Sequence, residues 1–258
     1  MIPLNNQVRS ANQDIAETID QRYLEIMLPS CPELQVHQQK DLESAEHINL
    51  LPKKLSGVTD NLALIQIGKQ LGLSAVVSSS FSPISVRLQD RGIFWFRKKI
   101  PFVWITVSME IYDIETGAKF LDQTFSREFK VTSEQADSIR EGKVSDVHAI
   151  EKAISDIFHE MAGAMCDLLV RQPWKGYVTG ISADVISLSA GSESGLQPGR
   201  ILQVYAPGEL IQGSENQSFQ LPGKKTGEIK ITAVFPDKAD AVGIRGDGFQ
   251  AGDILKTK

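Results

Sequence analysis

The sequence predicts an α+β protein in which a mixed sheet with packed helices is followed by a small all-β barrel. Three observations predict it. Val103, Ile105, Val107, Met109 and Ile111 alternate with Trp104, Thr106, Ser108, Glu110 and Tyr112, the period-two pattern of a half-buried strand. Ser145 to Arg171 carries Val147, Ile150, Ile154, Ile157, Phe158, Met161, Met165 and Leu168 every three or four residues, the period of a helix with one buried face, and Pro173 ends it. Beyond Gln172 no helical period recurs, and short apolar runs are separated by Gly, Pro and Asp. The change of pattern at Gln172-Pro173-Trp174-Lys175-Gly176 divides the chain into an expected α/β domain, 1–171, and a barrel domain, 172–258.

The elements follow in order. Met1 to Asn6 reads as the tail of a first strand, and an upstream targeting segment is expected before it. Ser10 to Leu28, with Ile15, Ile19, Tyr23, Ile26 and Met27 at helical spacing, forms a first amphipathic helix stopped by Pro29 and Pro32. Glu33 to His37 reads as a short strand and Lys40 to Ser56 as a polar loop. Thr59-Asp60 caps a second helix with Leu64, Ile67 and Leu71 on one face and Gly72 at its end. Leu73, Ala75, Val76, Val77 and Phe81 lead into the sheet, and Asp113-Ile114-Glu115-Thr116-Gly117 is a tight turn into a strand over Lys119 to Phe129. Thr132 to Lys143 has few large apolar residues and is expected to be an exposed, mobile connection. In the barrel, strands are predicted at Tyr177–Ser182, Asp184–Ser189, Arg200–Ala206, Thr226–Phe235, Ala239–Ile244 and Asp253–Leu255, with a protruding hairpin or loop between Pro207 and Lys225.

The function classes narrow by exclusion. A net charge of -5 with dispersed cations argues against a nucleic-acid surface. No apolar run approaches the ~20 residues of a spanning helix. None of His37, His47, His148 and His159 has a partner at metal-ligand spacing, and no cofactor is expected. The phosphate-cradling glycine motifs are absent. Ser78-Ser79-Ser80 lacks a nucleophile elbow and is read as lining a strand face.

Two features remain as candidates. Cys31 and Cys166, the only cysteines, are either two buried free thiols or, in an oxidising compartment, a disulfide tying the first helix to the long one. Ile93 to Trp104 sets five aromatics around Arg97, Lys98 and Lys99. That stretch is either a hairpin packed on its own domain or an interaction tip, with Phe94, Trp95, Phe96, Arg97, Lys98 and Lys99 meeting a protein partner or a membrane surface.

The opening Ile-Pro-Leu-Asn-Asn strand end, the helix closing on Gly-Lys-Gln-Leu-Gly-Leu-Ser-Ala-Val-Val-Ser-Ser-Ser, the Asp-Ile-Glu-Thr-Gly hairpin and the long helix occur in a recognisable order. Residues 1–171 resemble the module shared by the TolB N-terminal domain, the curli secretion channel CsgG and the lipoprotein LpoB, with Ser78 to Ser80 replacing that family's small-Gly ending. With Gly-Tyr-Val and the Gly-Leu-Gln-Pro-Gly turn (195–199) added, the chain resembles the middle and C-terminal domains of the FlgT family of flagellar H-ring assembly proteins. That resemblance implies a non-enzymatic periplasmic assembly or scaffold protein, associated with the outer membrane and built into rings with protein partners. Gly191 to Ile201 also shares a phrase with peptide-binding PDZ domains, so a periplasmic peptide- or glycan-binding module is the alternative; a hydrolase with an unrecognised site is the third reading.

Overall fold

The computed structural model describes residues 1–2, 4–7, 13–36, 51–92, 95, 98–141 and 148–257. It is an α+β structure with a five-stranded mixed sheet and a closed six-stranded barrel.

The sheet is built on β4 (Lys98–Asp113), whose central residues have neighbours on both sides. On one side β2 (Ala75–Phe81) and then β3 (Ser85–Arg91) run antiparallel to it; on the other lies β5 (Lys119–Lys130). The two-residue β1 (Asn5–Asn6) adds to β2 in parallel and makes the sheet mixed. Val103, Ile105, Val107, Met109 and Ile111 are completely buried against the helices, while the alternate residues Trp104, Thr106, Ser108 and Glu110 are half-buried on the opposite face. Each fully buried aliphatic chain in this row stabilises by roughly 1.5–3 kcal/mol, which pins the register, since a one-residue slip would turn the whole row to water.

Two helices cover the buried face, α1 (Gln13–Met27) and α4 (His148–Leu169). Tyr23 and Phe158 meet edge to face at 5.3 Å, and Phe158 also meets Phe81. Tyr23 donates to Ser79 at 2.9 Å, and burial pushes its phenol up to about 12. The serine triplet therefore does not share one face: Ser79 points into the core and its neighbours point away, as period two requires.

Two expectations need correction. Glu33 to Val36 is not a strand, because no strand among the described residues offers its backbone a ladder, and His37 lies outside the described residues, as does 40–50 of the expected loop. Thr132 to Lys143 is not an open connection: it contains α3 (Ser133–Arg140), with 142–143 outside the described residues. Thr132 and Gln135 cap α3 reciprocally at 3.0 and 3.1 Å, and Ala136 and Ile139 reach the core. Two small apolar contacts and a capping box suffice where a long apolar stripe is lacking.

The remaining helix, α2 (Asn61–Gln70), is capped by Asp60, which accepts from the Ala63 amide at 3.2 Å. It ends at Gly72, whose φ of 68° is the left-handed conformation that glycine adopts cheaply.

The barrel runs in the order β11 (Lys225–Val234), β12 (Ala239–Arg245), β7 (Val185–Leu188), β6 (Lys175–Ser182), β13 (Ile254–Thr257), β8 (Ile201–Tyr205), and β8 closes on β11. Leu202, Val204, Ile229, Ala239, Ala241 and Leu255 fill it without exposure. Between β8 and β11 a small hairpin, β9 (Leu210–Gln212) and β10 (Ser218–Gln220), stands out from the barrel.

Candidate functional site

The β3–β4 ribbon carries the residues singled out for interaction. Its strands pair from Ser85 with Trp104 out to Arg91 with Lys98, whereas β5 pairs with β4 only as far as Phe102. The last four rungs thus form a two-stranded arm beyond the sheet. Lys98 and Lys99 are exposed and belong to β4 itself, paired with Arg91 and Asp90. Trp95 lies between β3 and β4 in the chain, with 93% of its surface exposed. Phe94, Phe96 and Arg97 lie outside the described residues.

Pairing puts Arg87, Arg91, Lys98, Phe102, Trp104 and Lys130 on the sheet face opposite the helices. Arg87 lies 5.2 Å from the centre of the Trp104 ring and Arg91 5.5 Å from that of Phe102, so the rings support the guanidiniums from below. None of Arg87, Arg91, Lys98, Lys99 and Lys130 makes an ion pair among the described residues.

A second cluster lies where sheet and barrel meet, around the turn Asp113 to Gly117. Lys175, in the first position of β6, is buried, with its ammonium 2.7 Å from Asp113 and 2.8 Å from Glu115. Lys256 of β13 reaches the other oxygen of Glu115 at 2.8 Å. Asp113 also accepts from the Thr116 amide and hydroxyl, and the Gly117 carbonyl accepts from Asn61 of α2 at 2.6 Å. The β9–β10 hairpin closes over the same turn: the Gln220 amide donates to the Thr116 carbonyl at 2.9 Å, Lys69 to the Gln220 side chain at 3.0 Å. Ile2, Leu64, Val76, Tyr112 and Ile114 from the sheet body pack with Tyr177 and Ile254 from the barrel and keep water out.

The charges here are tuned by that burial and by their partners. Burial alone would raise the Glu115 carboxyl, but hydrogen bonds from Lys175 and Lys256 overcome it and hold it below the ordinary value. Burial likewise disfavours the Lys175 ammonium, yet Asp113 and Glu115 hold its pKa above the usual lysine range. Tyr177 is pushed up by burial and then by the same two carboxylates. Lys69 is lowered by burial. In the sequence Asp113 to Gly117 reads as a hairpin turn and Lys175 falls in the stretch where the pattern changes; the one signal for the cluster is that two carboxylates two residues apart follow an alternating apolar run.

The other candidates separate. Cys31, just after α1, and Cys166, on α4, are joined as a disulfide with Cα atoms 5.6 Å apart. His159 is exposed with Nδ1 2.7 Å from the Ser155 carbonyl, His148 is exposed beside Glu151, and His47 lies outside the described residues. Among the described residues no group of three or more His, Cys, Asp and Glu could hold a metal ion. A cleft of about 370 Å³ on the barrel is lined by Ile181, Ile186, Val242 and Phe249, with Asp184 as its one titratable group. In the 191–201 motif Leu196 is buried and Gly199 has φ 85°, and the motif leads into β8, which is paired on both sides. A peptide added as a strand needs a free edge, and β8 has none. Among the described residues no helix is long and apolar enough to cross a membrane.

Neither a family model nor a curated protein matches the chain. Among solved structures it is similar to the hypothetical protein CT253 from Chlamydia trachomatis, at 12% identity and a TM-score of 0.40, over 67% of this chain and 96% of that one. A minor lipoprotein from Acinetobacter baumannii is similar at 14% identity and a TM-score of 0.25, over 46% of this chain and 89% of its own. At these identities and scores neither neighbour carries a function over to this chain.

Proposed function

We propose that the chain is a non-enzymatic assembly or scaffold protein of the periplasm, of the flagellar H-ring kind and associated with the outer membrane, whose working surface is the β3–β4 ribbon. The observation that carries this reading is Trp95, almost fully exposed at the end of an arm that extends past β5. A large ring held in water serves no purpose in the protein's own core, and aromatic and arginine side chains are the residues enriched where partners dock. The junction supports the same reading from the opposite side, because its charges are spent on holding sheet and barrel together. The Cys31–Cys166 pairing supports an oxidising compartment.

Fractionation of source cells tests it. The protein is expected in the periplasmic and membrane fractions, migrating as a species larger than one chain, and Trp95→Ser is expected to disperse that species while leaving the fold intact. A soluble cytoplasmic monomer, or an assembly indifferent to the Trp95 substitution, would overturn the proposal.

A further inference from the structure

We infer that the outer end of the β3–β4 ribbon docks on a bilayer surface bearing anionic phospholipid. This rests on the ribbon being the working surface and goes beyond it by naming the occupant. The first argument is charge. Residues 85–104 hold five cations against the single carboxylate of Asp90, in a chain whose net charge is -5. The molecule is therefore polarised, with a cationic arm on an acidic body. Arg87, Arg91, Lys98 and Lys99 make no ion pair among the described residues, so they are available to phosphates without first giving up a carboxylate.

The second argument is the chemistry of the tip. Trp95 is 93% exposed, and Leu88, on the other side of the ribbon from Arg87, is 54% exposed. An indole with an apolar body and a polar N–H is suited to the headgroup layer, where cations beside it meet phosphates. The third argument is reach. Four rungs beyond the last β5 pair, Pro101 with Leu88 out to Lys98 with Arg91, add roughly 13 Å at the ordinary strand rise. That exceeds the Debye length of about 8 Å at physiological salt, so the arm can touch an anionic surface while the acidic body stays largely screened from it. An acidic protein would also attract the cations, but the headgroup layer takes the indole and the cations together without needing a pocket shaped for the ring.

Flotation of the full chain with vesicles tests the inference, comparing pure phosphatidylcholine with a mixture containing about a third phosphatidylglycerol. Binding to the anionic vesicles is expected to exceed binding to the neutral ones at least tenfold and to be lost at high salt. Each cation near such a surface contributes about fivefold, so Lys98→Glu with Lys99→Glu is expected to remove more than 25-fold, and Trp95→Ser to weaken binding further with unchanged melting temperature. Absence of vesicle binding, equal binding to both vesicles, or binding that ignores these substitutions would overturn the inference. If the substitutions dissolve the cellular assembly but vesicles are never bound, the partner is a protein, and the scaffold reading stands without the lipid. If they alter neither, both readings fall.

Discussion

The junction between sheet and barrel and the free end of the β3–β4 ribbon are both rich in cations, and they use them in opposite ways. At the junction Lys175 and Lys256 are clasped by Asp113 and Glu115 under an apolar cover. On the ribbon Arg87, Arg91, Lys98 and Lys99 face water, two of them lying over aromatic rings. A buried ion pair adds little net stability over a well-packed apolar substitute, yet breaking one by removing a single partner is severe. An exposed cation contributes almost nothing to the fold and is free to act on something else. The same residue type is therefore structural at one end of β4 and available for recognition at the other.

That contrast can be broken most decisively at Lys175. Lys175→Met leaves the buried Asp113 without its cation and Glu115 with Lys256 alone, and the expected loss is about 3–5 kcal/mol, read as a lower midpoint in urea. Adding Asp113→Asn and Glu115→Gln should recover part of it; a Lys175→Met protein as stable as the wild type would show that the junction is not a closed ionic lock. Reducing Cys31–Cys166, which spans 135 residues, is expected to cost about 2–4 kcal/mol, measured by melting with and without reductant. Thiol labelling of the unfolded, unreduced protein purified from the periplasm should fail at both cysteines.

Acid probes the junction more gently. The folded Glu115 carboxyl lies below its ordinary value near 4.5, so its contribution is complete above that value and is lost as the pH falls through the depressed one. Lys175 lies above 10.5, and its contribution is complete below that value and lost as the pH rises through the raised one. Glu115→Gln should accordingly flatten the acid limb of a stability profile, whereas Lys98→Glu on the ribbon should leave that limb unchanged. The smallest stability effect belongs to Trp95→Ser, within about 0.5 kcal/mol as for other exposed positions. A loss of several kcal/mol there would mean that the indole packs into the protein, and the contrast between the two clusters would disappear.

Much of the architecture was legible because it depends on local period and turn chemistry. The alternation over 103–112, the helical period of α4 and the six Gly- and Pro-bounded barrel strands each bury one face whatever surrounds them, so pattern alone locates them. The capping box at Thr132 and Gln135 was also written in the sequence, but too few apolar residues followed it for the helix to stand out. Glu33 to Val36 has strand-like composition, yet a strand needs a neighbour, and whether one is present is not a local property.

The sequence by itself determined the fold class, the two cysteines and the aromatic, cationic stretch of the ribbon, because period and composition act over a few residues. Tertiary structure alone decided which charges are paired. Asp113 and Lys175 are 62 residues apart in the chain, and Glu115 and Lys256 are 141 apart. Nothing short-range marks them as partners, because in water any carboxylate attracts any ammonium about equally weakly. Only the packing of the barrel on the β4–β5 turn removes the water and makes the pairing obligatory, while leaving the cations of the ribbon without a carboxylate partner among the described residues.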